Sequence, residues 1–113
     1  MSLLNLDFND ISKNMLNAAQ ASLKVNADDI KSLAEGELKD FARRSIELAE
    51  KVSNGSISLE QAKLILKIRQ NAVETVLLSI AGIGLLAVQE AMNAIIDVLK
   101  GSINKAIPGI NLF

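Results

Sequence analysis

The chain has 113 residues, 50% hydrophobic and 22% charged, with one Pro and no Cys, His, Trp or Tyr; that length suits one domain. Without Cys there is no disulfide framework, thiolate nucleophile or cysteine-held metal, and without His there is no Ser–His–Asp machinery or imidazole ligand. Twelve basic against 13 acidic residues give a net charge of −1, so no strong attraction to nucleic acid or anionic lipid is encoded.

In residues 1–8 there is no basic segment, and Asp7 and Asp10 precede the first Lys, so no signal peptide is expected. Ser2 breaks the myristoylation pattern, and Asn111, Leu112 and Phe113 offer no prenylation Cys. The expected location is intracellular or cytoplasmic, or within an assembled particle.

Helical periodicity runs through most of the chain, with Ala, Leu, Ile, Lys and Glu dominant. The first arm covers residues 9–53. Ile30, Leu33, Ala34, Leu38, Phe41, Ala42, Ile46, Leu48, Ala49 and Val52 make one apolar face along it, and Glu35–Lys39, Asp40–Arg44 and Glu47–Lys51 are acid-first i,i+4 pairs on the solvated side. Asn26 or Asp28 is able to cap a new helix, with Asp28 and Asp29 favouring its N-terminal dipole. The arm is therefore either one continuous helix or two helices broken near Asn26.

Ser53, Asn54, Gly55 and Ser56 form a turn signal, with Asn54 or Gly55 suited to positive φ. Ser58 and Gln61 then fit the N-cap and N3 positions of a capping box, with Ile57 and Ala62 placed for a hydrophobic staple. The turn is assigned to residues 54–57 and the second arm to residues 58–101. Two arms of matched length around a short loop predict an all-α antiparallel helical hairpin, each arm roughly 65 Å long if unbroken. Breaks at Asn26 and at Gly82-Ile83-Gly84 would instead divide it into three or four helices in a compact bundle. Residues 102–113 form an apolar C-terminal tail, in which Pro108 and Gly109 suit the central positions of a type II turn.

The second arm is unusually apolar: between Thr75 and Leu99 only Glu90 and Asp97 are charged. Two seams run along it. One carries small residues, Gly84, Ala87, Ala91 and Ala94; folding about the turn sets them opposite Ala18, Ala19, Ala21 and Ser22, an expected close intramolecular contact. The other carries Leu78, Ala81, Leu85, Val88, Met92, Ile95 and Leu99. A helix apolar on two sides needs cover on two sides, and one partner arm supplies one. The second seam is therefore the expected oligomer interface, leading to a homo-oligomeric helical bundle.

Chemical motifs are few. With Gly55 at position 6 of a calcium loop, position 3 falls on Val52 and position 12 on Gln61, so the match fails. Asp28/Asp29, Glu35/Glu37 and Glu47/Glu50 are carboxylate pairs, but they fall on the charged side and lack the His of a di-metal bundle. Arg43 and Arg44 lie between Asp40 and Glu47, which favours local ion pairing over phosphate contact. Gly82-Ile83-Gly84 lacks the Gly-x-Gly-x-x-Gly pattern.

The sequence thus predicts a non-enzymatic structural or interaction protein of one domain, self-assembling through its second arm. It would serve as a scaffold or as a small component of a larger particle such as a virion, with its own copies and other proteins of that assembly as partners. No catalytic residue, cofactor, metal or nucleic-acid partner is expected. The alternative is a membrane-active or pore-forming protein that inserts residues 76–99 into lipid. The 13-residue uncharged run 76–88 is shorter than the ~20 residues a span requires.

Overall fold

A computed structural model describes residues 7–23, 27–80 and 84–113, without the side chains of 27 and 29–34. The described residues are all-helical, in the order α1 (Phe8–Leu23), α2 (Ala27–Ser53), α3 (Leu59–Leu78) and α4 (Leu85–Ala106). The molecule measures 43 × 25 × 18 Å. Its long dimension is close to the ~40 Å of the 27-residue α2 alone. Unbroken 65 Å arms do not fit those dimensions. The described residues instead form four shorter helices, α1 and α2 along the stretch expected for the first arm and α3 and α4 along that expected for the second. Asn26, Gly82 and Ile83 lie outside the described residues.

Helix boundaries follow local chemistry. Asp7 caps α1, its Oδ1 accepting hydrogen bonds from the backbone N–H of Asn9 (3.0 Å) and Asp10 (3.2 Å). At the end of α2 the N–H of Ser56 reaches Lys51 O (2.8 Å) and that of Gly55 reaches Val52 O (3.2 Å), a Schellman pattern around Gly55 at φ 81°. The capping box forms as the sequence predicts: Ser58 N–H donates to Gln61 Oε1 (3.0 Å), and Gln61 N–H to Ser58 Oγ (3.1 Å). α4 runs past the expected end at residue 101, to Ala106. Pro108 follows, and Gly109 has φ 90°, so the tail begins at Ile107, not at residue 102.

Burial then selects one face of each helix. α1 buries Ile11, Met15, Ala19 and Leu23; α2 buries Leu38, Phe41, Ala42, Ile46 and Ala49; α3 buries Ala62, Leu66, Val73 and Leu77; α4 buries Val88, Met92, Ile95, Leu99 and Ile103. These three- and four-residue steps keep side chains on one stripe. α1 packs most extensively on α4, and also on α2; α2 packs on α3, while α3 meets α4 only sparsely. The tail fills part of that gap, with Leu112 buried and the Phe113 ring edge-on to Phe41 at 6.2 Å. Asp40 lies near Arg44 (4.0 Å) and near Arg69 of α3 (3.6 Å), linking α2 to α3. Arg43 stacks over the Phe8 ring at 5.6 Å.

Candidate functional site

The small residues expected to pack between the arms lie on α1 and α4, the two helices that pack most extensively on each other. Ala19 and Ala91 are fully buried, while Ala18, Ser22, Ala87 and Ala94 are half-buried and Ala21 is exposed. Gly84 departs from the expectation. It is exposed at the N-cap of α4, and a Cβ built there would meet nothing within 4 Å. No close approach of backbones requires it.

The seam expected to face another copy is divided. Val88, Met92, Ile95 and Leu99 sit in the chain's own core, each no more than 2% exposed. They are therefore not available to a second subunit. The physical reason lies in the broken arms. As a separate helix, α4 turns its larger side chains inward, since burying Val, Met, Ile and Leu is worth about 1.5–3 kcal/mol each, more than burying Ala or Gly. Only Leu78 and Leu85 of that seam are exposed, and Ala81 lies outside the described residues.

The uncovered apolar surface lies mainly on α3. α3 packs on α2 and sparsely on α4 through the stripe of Ala62, Leu66, Val73 and Leu77, and among the described residues its opposite face is left exposed. Leu64 is 68% exposed, Ile68 65% and Ile65 41%; Gln61, Ala72 and Thr75 continue the same face and are also exposed. Where α3 gives way to α4, Leu78, Leu85 (56%) and Leu86 (71%) add three exposed leucines. Isolated exposed apolar residues are ordinary on protein surfaces, but a contiguous face marks a contact site.

α3 had shown its signal in the sequence. Leu64, Ile65 and Leu66 are consecutive and Ile68 follows, so apolar side chains project over more than the stripe one neighbour covers. That wrap begins before Val73, upstream of the seams traced on the second arm.

Polar chemistry is sparse. A cleft of about 470 Å³ between α1 and α2 is lined by Lys13, Glu35 and Lys39 among others. Among the described residues, no three acidic side chains cluster closely enough to hold a metal ion. One buried carboxylate oxygen, Oε2 of Glu50, has no hydrogen-bond partner. Buried hydroxyls are satisfied locally: Ser45 Oγ donates to Phe41 O at 2.7 Å and Ser12 Oγ to Asn9 O at 3.1 Å. Comparison with protein-family models, with curated proteins and with solved structures finds no match.

Proposed function

We propose that the chain is a non-enzymatic structural or interaction protein that associates with its own copies through the outer face of the second arm. In this reading it is a scaffold or a small component of a larger assembly, and the hairpin of two broken arms is its building unit. The observation that carries the reading is the open face of α3, where Leu64, Ile65 and Ile68 stand in solvent on one side of a single helix. The interface moves from the middle of α4 to α3 and the leucines at its end. Light scattering on the purified chain in detergent-free buffer tests the proposal. A mass that is a multiple of 12.1 kDa supports it, and a monomer at every concentration overturns it.

A second reading, membrane association, draws on Leu78, Leu85 and Leu86 at the α3–α4 junction. Among the described residues no helix is long and apolar enough to cross a membrane. Contact would then be by partial insertion of this junction into one leaflet. Flotation with phosphatidylcholine vesicles distinguishes the readings: co-flotation abolished by Leu85→Glu favours the membrane, and its absence favours association between copies.

A further inference from the structure

We propose that residues 108–113 are a detachable strap: they close the gap between α3 and α4 in the folded chain, and leave it by a local opening in which the helices stay formed. The strap does not depend on the self-association proposed above.

Its course is set at the end of α4. Pro108 has no backbone N–H with which to continue the helix, and Gly109 takes φ 90°, a region that glycine enters without strain. The chain turns there and runs back beside α4. Ile110 and Leu112 share a cleft with Gly101 and Ile103, and Leu112 and Phe113 share another with Leu66 of α3 and Ile96 of α4. Ile110 is half-buried, Asn111 exposed and Leu112 buried, the alternation of an extended chain with one face inward. The Phe113 ring then meets Phe41 of α2 edge-on at 6.2 Å.

Side-chain contact alone holds this segment. Residues 108–113 make no hydrogen bond to another described residue, whereas the turn at Gly55 is tied down by the backbone N–H groups of Gly55 and Ser56. The flanks of the segment are also loosely packed: the two clefts that border it measure about 350 and about 310 Å³. Opening therefore breaks no hydrogen bond within the protein and melts no helix. It gives up the burial of Leu112 and the contact with Phe41, and it returns conformational freedom to six residues. Few buried contacts and an unpartnered backbone put a segment at the low end of local stability. Leu66 and Ile96 lose the cover of Leu112 in the open state, so the chain then presents apolar surface that the closed strap conceals.

Thiol labelling of the intact chain tests this, because the sequence has no Cys and a single introduced thiol reports on its own site. Leu112→Cys places the thiol on the strap and Leu99→Cys places it in α4, both at positions no more than 4% exposed. With an aromatic disulfide reagent in native buffer, Leu112→Cys should react about 100-fold faster than Leu99→Cys, or faster still. Its rate should hardly change with low concentrations of urea, since the opening exposes little surface. Leu99→Cys reacts only through unfolding, and its rate should climb steeply with urea. Equal rates and equal urea slopes would overturn the strap, because the tail would then open only with the whole fold. Leu112→Asp removes the anchor outright: its far-UV circular dichroism should keep the wild-type helical signal, and loss of that signal would overturn the strap by making the tail part of the core.

Discussion

The double substitution Leu64→Glu/Ile68→Glu separates the role of α3 in assembly from its role in folding. Both side chains are about two-thirds exposed in the single chain. Covering the exposed part of each at an interface is worth roughly 1–2 kcal/mol, two-thirds of the ~1.5–3 kcal/mol for full burial. A symmetric pair covers four such side chains, about 4–8 kcal/mol in all. Even the lower figure corresponds to a dissociation constant about 10³-fold weaker, and opposed glutamates add repulsion. Surface substitutions of this kind shift folding stability by only about 0.5 kcal/mol. Sedimentation velocity should therefore find the variant monomeric at concentrations where the wild type associates, and urea denaturation at dilution should give nearly the same midpoint for both. An unaltered dissociation constant would show that α3 is not the interface. A variant that is largely unfolded would show that its outer face is part of the core.

The remaining predictions concern the single chain. Met92→Ala removes a core side chain only 2% exposed, and should cost about 2–5 kcal/mol of folding stability in urea denaturation below the association range; a stable variant that merely loses mass would return the interface to α4. Gly36 lies within α2, and a Cβ there meets nothing within 4 Å. Gly36→Ala should therefore gain up to about 1 kcal/mol, seen as a higher melting temperature in circular dichroism; a lower one would contradict the open space at this position. Ser58→Ala removes the side-chain half of the capping box and should cost about 1 kcal/mol, against no change if α3 is held by packing alone.

The turn and the helical class were legible because they rest on nearest-neighbour chemistry. Asn54, Gly55, Ser58 and Gln61 carry the Schellman turn and the capping box in consecutive residues, and no distant contact is needed to read them. The buried face of α2 was legible for a similar reason: Leu38, Phe41, Ala42, Ile46 and Ala49 follow one period. Helix length was not, because four shorter helices in place of two long ones depend on whether their packing outweighs a few residues of lost helix. That choice also controls which seam of α4 is covered. An unbroken arm has one neighbour, so Val88, Met92, Ile95 and Leu99 were expected to need another copy. Once the arms fold back, α4 lies mainly against α1 and buries them itself. The surplus of apolar surface then falls to α3, where Gln61, Asn71 and Thr75 dilute the pattern between Leu64, Ile65 and Ile68. The run Leu64, Ile65, Leu66 and Ile68 shows that α3 has apolar side chains on more than one stripe, but which of them stay exposed depends on which helices stand beside α3.

Whether one chain's α3 touches another's is tested most directly by isotope-filtered NMR on a mixture of methyl-labelled and unlabelled copies. The account predicts intermolecular nuclear Overhauser effects from the Leu64 and Ile68 methyl groups to the unlabelled copy. Intermolecular contacts confined to α1, or to Met92 and Leu99 of α4, would contradict it.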